Sequence, residues 1–383
     1  MPNRLRDPEN ATPEPTSLTG GNGRALGTLV LLAVSLFVNL APSAFAAAKL
    51  TLQTSGGIAI AGAAGVYTSS FGTMNALALG TAQAGVSKSA LTNGAMYFTT
   101  LGVSVSSLGN PDTAVVKAYV STNFTGSAAS AMVIYACPST SACSSAGQFA
   151  ALGTSLGTEA TLAAGITKNA NTATIGLAIF LPDNDGASAF TGTVAAGPTV
   201  TFDLYVNGAV ITTDIATLAL NSSTVQNAVQ LTLGTATGGL TITPSAPLQD
   251  PFSMNFGNVN GLGIGPSAGL TTVSQAGGII YSTPYNVLPI FTDMSSTAAS
   301  IKVCVSTTFT HSAVLGLHDS ASGSSGSFSS ISTNCGTATS LTSSAADRST
   351  ITRYLGLFVS NVNGATAYTG VDTATLTYTL TVP

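Results

Sequence analysis

The chain has 383 residues, and only 6% of them are charged, where soluble domains average about 25%. Ten Lys and Arg against fourteen Asp and Glu provide no basic stripe to neutralise phosphates, which excludes a nucleic-acid partner. A mean hydropathy of +0.43 excludes simple disorder and leaves a secreted or surface β-rich protein whose polar groups are mostly hydroxyls and amides.

The first element is a targeting segment. Arg4, Arg6 and Arg24 precede an uncharged apolar run from Ala25 to Ala41, and Pro42-Ser43-Ala44-Phe45-Ala46 follows it. A positive flank, an apolar core and a small-x-small site predict a signal peptide over 1–46, cleaved between Ala46 and Ala47. The run is short for a membrane span of about 20 residues, and Asn39 and Pro42 interrupt it. The mature chain keeps one glutamate, Glu159, and has no other run long enough to span a bilayer. Export without membrane attachment after cleavage is the expectation.

The remainder reads as one domain written twice. Ser70–Gly80 matches Asn255–Gly265, with Phe71-Gly72 falling on Phe256-Gly257 at an offset of 185. At the same offset Val116–Thr125 matches Ile301–Thr310, six of ten positions being identical, Lys117 with Lys302 among them. Further on, Phe180–Gly192 matches Phe358–Gly370 at an offset of 178. The expected layout is copy one at 47–207, a linker at 208–229 and copy two at 230–383, with Thr213–Leu220 able to form a short strand.

Within each copy the period is that of strands. Ile301, Val303 and Val305 alternate with Lys302, Cys304 and Ser306, and Leu376, Tyr378, Leu380 and Val382 alternate with threonines. Val200, Phe202, Leu204 and Val206 form the matching row of copy one. Turn chemistry punctuates these runs at Gly109–Asp112, Asp183–Gly186 and Asn361–Gly364. The fold class expected is all-β, two tandem antiparallel β-sandwiches of Ig-like or pilin-like type. The Ala-rich stretch 147–164 is where a helix could survive.

Two cysteines per copy in an exported chain predict the disulfides Cys137–Cys143 and Cys304–Cys335. Because Cys304 aligns with Tyr119, the two bridges occupy different places in the repeat. Cys304 shares the Lys302 face of its strand, which puts its bridge off the core.

Chemistry is sparse. His311 and His318, with Asp319, could hold a metal or serve a hydrolase, but copy one has no histidine and there is no G-x-S-x-G elbow. Asp183-Asn184-Asp185-Gly186 resembles the opening of a calcium loop, but the matching Asn361-Val362-Asn363-Gly364 has neither acid, which favours a turn. Lys117 and Lys302 are expected to point outward. No catalytic residue, cofactor or metal is therefore expected.

The early Phe71-Gly72 and Phe256-Gly257, and the alternating closing strand after Gly370, resemble secreted pilus-subunit sandwiches of the chaperone–usher and spore-coat-U type. The resemblance implies a fold completed or polymerised by strand exchange, with Leu376, Tyr378, Leu380 and Val382 as the assembly strand. The aromatic usual near the very end is absent, since Val382-Pro383 follows. The resulting expectation is a non-enzymatic structural or adhesive surface protein whose partners are itself or other surface proteins. A Tyr- and Asn/Asp-based carbohydrate-binding module is the alternative, and a hydrolase the next. Self-packing of the closing row is favoured over its use between chains.

Overall fold

The computed structural model describes residues 48–125, 132–194, 197–221, 223–243, 251–363 and 367–383, except for the side chains of 212 and 213. The signal peptide and the Ala46–Ala47 cleavage site lie outside the described residues. Residues 48–383 form one compact unit, and its regular structure is strand, with no helix beyond single 3-10 turns among the described residues.

The longer strands of the N-terminal half are β1 (Lys49–Gln53), β2 (Val66–Ser69), β3 (Ser87–Leu91), β4 (Gly94–Ser106), β5 (Thr113–Thr122), β6 (Val133–Cys137), β7 (Ala160–Thr167), β8 (Thr172–Pro182), β9 (Thr199–Val206) and β10 (Ala209–Leu220). One sheet runs β1-β4-β8-β6, with β3 also on β4; the facing sheet runs β7-β5-β9-β10-β2. Pairing is antiparallel except where β10 meets β2 in parallel, and where Thr224-Val225 meets Thr73-Met74. β4 is central and covered on both faces, so it is an almost unbroken apolar run rather than an alternation. Tyr97, Leu101, Val103 and Val105 face the main core, while Met96 and Phe98 face a smaller cluster around Cys137, Cys143 and Phe149.

The C-terminal half contributes β11 (Ala228–Thr235), β12 (Thr271–Gln275), β13 (Gly278–Thr292), β14 (Ala298–Thr307), β15 (Leu315–Ser320), β16 (Thr339–Ala346), β17 (Ile351–Ser360) and β18 (Thr375–Thr381). Its first sheet, β11-β13-β17-β15 with β12 on β13, has the order of β1-β4-β8-β6 with β3 on β4. Its second sheet, β16-β14-β18, has the order of β7-β5-β9 and stops there. Matching polar pins hold both halves. The Tyr97 hydroxyl accepts from Asn75 N at 2.9 Å and donates to Asn75 O; the Tyr281 hydroxyl does the same with Asn260. Thr99 Oγ1 accepts from Ile58 N, and Thr283 Oγ1 from Leu240 N, both at 2.8 Å.

Two sequence expectations are corrected here. The stretch 208–229 is not a linker: it holds β10 and the start of β11, and Ala216, Leu218 and Leu220 of β10 are buried in the N-terminal core. Asn207-Gly208, with φ of 50° and 84°, is the two-residue turn of a β9–β10 hairpin in which Val206 pairs with Ala209. The stretch 147–164 holds no α-helix, since glycines at 147, 153 and 157 interrupt it; strand 150–151 and the start of β7 occupy it instead.

The two halves meet where the β8–β9 segment faces the ends of β13 and β16. Gly186 N donates to Met294 O at 2.8 Å, and Met294 N donates to Asp185 Oδ1 at 3.1 Å. Arg348 pairs with both Asp183 and Asp347.

Candidate functional site

The strand singled out as a possible assembly strand is β18, and its geometry is best seen beside β9. β9 pairs with β5, and β18 with β14, in the same register: Phe202 lies opposite Ala118 and Leu204 opposite Val116, as Tyr378 lies opposite Val303 and Leu380 opposite Ile301. On β9 the row Val200, Phe202, Leu204 and Val206 is at most 5% exposed. On β18 Leu376, Tyr378 and Leu380 pack against the C-terminal core, yet each is only half-buried, as is Val382. Tyr378 meets Tyr285 edge-on at 6.2 Å, and burial raises both phenols well above their ordinary pKa.

The difference lies in what stands next to each strand. β9 has β5 on one side and β10 on the other; β18 has β14 on one side and no strand on the other among the described residues. In the N-terminal half β10 also passes alongside β1 and closes the sandwich there. In the C-terminal half β11 itself comes alongside β18, and Leu231 and Leu233 on β11 are half-buried where Leu50 and Leu52 on β1 are buried. The result is a half-buried apolar row where β11 and β18 meet. A row of unpaired backbone donors and acceptors runs along the edge of β18, and the outer face is a ladder of exposed Thr375, Thr377, Thr379 and Thr381. Sequence reasoning found the row on β18. It missed Leu231 and Leu233, which fell at its assumed linker boundary.

The disulfides Cys137–Cys143 and Cys304–Cys335 are both formed, with Cα atoms 5.8 and 5.1 Å apart. Cys304 is buried on β14 and Cys335 starts a 3-10 turn, so this bridge clips a loop over the outer face of the sheet rather than joining the core.

The histidines do not converge. His311 donates its backbone N–H to Asp372 Oδ2 at 2.8 Å and pairs with it through Nδ1 at 2.9 Å, while its ring stacks on Tyr368 at 3.5 Å. Burial opposes the charge on Asp372. The bonds from His311, Thr310 N and Thr373 N outweigh it and hold the carboxylate well below its usual range. That saturated carboxylate is a loop clasp, and no serine bonds the His311 ring among the described residues. His318 lies on β15 beside Phe358, its Nδ1 buried without a partner, and burial lowers its pKa. Asp319 points the other way, into an ion pair with Arg353. Lys117 rests over the Tyr205 ring at 4.2 Å, and Lys302 is exposed.

Asp183 and Asp185 sit at the contact between the halves, and burial raises the pKa of Asp185 and of Asp347, and lifts Asp293 to about 7. A recess of about 480 Å³ opens on the N-terminal half between Ser139, Ser141, Thr172 and Thr174. Hydroxyls and methyls line it, with no aromatic ring and no charge, so it lacks the stacking platform that the sugar-binding alternative calls for. No helix among the described residues is long and apolar enough to cross a membrane.

No family model matches the chain, and no curated protein matches it. Among solved structures it is similar to the CupB6 tip adhesin of Pseudomonas aeruginosa, at 10% identity and a TM-score of 0.29, over 88% of this chain and 95% of that one. It is also similar to a chaperone–tip adhesin complex of CFA/I fimbriae, at 12% identity and a TM-score of 0.21, over 87% and 90%. The N-terminal domain of PorA matches 46% of this chain over 98% of its own length, at 9% identity and a TM-score of 0.23. Similarities at these scores carry no argument about fold or activity.

Proposed function

We propose that this chain is an exported, non-enzymatic structural or adhesive protein of the bacterial cell surface, built as a tandem pair of sandwiches. The C-terminal sandwich takes an extended strand from a neighbouring chain along β18. The observation that supports this reading is the contrast between two strands in one register. The β9 row is sealed by β10, whereas the β18 row is half-exposed beside an unpaired edge. A strand added there would satisfy the free backbone groups and cover Leu231, Leu233 and the β18 row together. Two disulfides and a hydroxyl-rich, nearly uncharged surface suit an oxidising exterior.

The test is negative-stain microscopy and light scattering on the purified mature chain. A synthetic peptide of residues 209–220, the strand that seals β9, serves as competitor. Filaments or oligomers that the peptide breaks, and that Leu231→Lys with Leu233→Lys removes while circular dichroism is unchanged, are the expected result. A chain that stays monomeric and whose melting temperature the peptide does not move would overturn the reading.

A further inference from the structure

A chain with fourteen acids places four of them, Asp183, Asp185, Asp293 and Asp347, at a contact between its halves. They come from three separate segments: the turn after β8, the residue after β13 and the turn after β16. Carboxylate oxygens of Asp183, Asp185 and Asp347 lie within 4.8 Å of one another. Two oxygens on opposite sides of a calcium ion stand about 4.6–5.2 Å apart, twice the usual Ca–O distance, so this spacing admits one ion among all three.

Crowding alone would not make a site, but two buried carboxylate oxygens here have no hydrogen-bond partner among the described residues. The Asp183 side chain is 6% exposed, and its Oδ1 is buried with no hydrogen-bond partner among the described residues. An anionic oxygen in that position loses its hydration without replacement. Asp293, 4% exposed, leaves Oδ2 in the same condition one residue before Met294, whose backbone holds Asp185 and Gly186. Arg348 pairs with Asp183 Oδ2 and Asp347 Oδ2 and supplies one positive charge. Three carboxylates and one guanidinium sum to −2, which one divalent cation neutralises. The donors are all hard oxygens in an irregular, half-buried setting, which suits calcium better than the strict octahedron of magnesium.

We infer that Asp183, Asp185 and Asp347 form a calcium site that ties the turn after β8 in the N-terminal half to the turn after β16 in the C-terminal half. This revises the expectation of no metal. The segment that matches Asp183–Gly186 in the second half, Asn361–Gly364, has neither acid. The third ligand comes instead from the other half, at a position the repeat does not align. The inference is independent of strand addition at β18, which involves none of these residues.

The test uses the full exported chain, stripped with EDTA and titrated with calcium chloride alone, by calorimetry and by thermal melting. Saturable binding of one ion per chain, with a melting temperature that climbs with calcium concentration, is expected. Asp185→Asn and Asp347→Asn, each keeping the side chain's shape, are expected to weaken binding at least about tenfold with unchanged circular dichroism. Arg348→Gln removes the competing cation and is expected to tighten it. Absence of saturable heat and of any melting shift in the wild-type chain would overturn the inference, whatever the variants do. So would binding that both Asn variants leave unchanged.

Discussion

Single hydroxyl groups carry much of the loop architecture. Tyr97 and Tyr281 each reach out of the core to satisfy both backbone groups of one asparagine, and that asparagine's Oδ1 then caps the turn beyond it. Removing either hydroxyl leaves a backbone N–H and C=O without their partner, so Tyr97→Phe and Tyr281→Phe are each expected to cost about 1–3 kcal/mol by urea denaturation. The Tyr97 change should be the larger, because its bonds to Asn75 are buried whereas those of Tyr281 to Asn260 are only partly so. His318 gives a pH signature. Its burial lowers the folded pKa below that of the unfolded chain, about 6.5, with Nδ1 unpartnered. Above that value both states are neutral and nothing is lost. As pH falls through it the unfolded chain takes the proton first and stability declines. Melting wild type and His318→Gln from pH 7.5 to pH 5 should show a steeper loss in wild type; parallel curves would mean that His318 titrates freely. None of this was legible beforehand, since a tyrosine or histidine in sequence does not reveal which loop its polar atom meets.

At the scale of the strand, the sequence was far more informative. Period-two alternation located β14, β18 and β9 with their inward rows, and two cysteines per half gave both disulfides. What misled was the use of repeat boundaries as domain boundaries. Asn207-Gly208 is a strong local hairpin signal, but it lies just past the last closely matching sequence blocks of the first half, at the expected domain boundary. Because β10 has no counterpart beside β18 among the described residues, matched substitutions on the two rows should behave differently. Leu204→Ala, at a position with no exposure, is expected to cost about 2–5 kcal/mol, and Leu380→Ala clearly less, since its side chain is already half in water. Adding the 209–220 peptide should raise the cost of Leu380→Ala and leave that of Leu204→Ala alone. Equal costs without peptide would show that β18 is as well covered as β9. The disulfides should rank by loop length: on the chain-entropy model the 31-residue separation stabilises by about 3–4 kcal/mol and the 6-residue one by about 2. Melting of Cys304→Ser/Cys335→Ser against Cys137→Ser/Cys143→Ser checks the order.

For the molecule as a whole, the decisive question is whether the halves unfold together. Each has its own apolar core, and the β9–β10 hairpin ends before β11 begins, so nothing in the cores requires coupling. The coupling must come from the contact between them, and there the polar groups dominate: Gly186 and Asp185 on Met294, and Arg348 on Asp183. Asp183 is nearly buried, so removing its guanidinium leaves an uncompensated charge in a poorly hydrated place. Fully buried pairs lose about 3–5 kcal/mol on such a change. The Arg348 side chain is 34% exposed, so water enters and the loss here should be nearer about 1–3 kcal/mol. Arg348→Ala is therefore expected to lower the melting temperature and to split one calorimetric transition into two. Asp183→Asn in the same chain should restore part of the loss, because the amide removes the stranded charge; the non-additivity of the double variant measures the coupling itself. A single transition at the wild-type temperature in Arg348→Ala would place the coupling elsewhere and leave the acidic contact without a mechanical role.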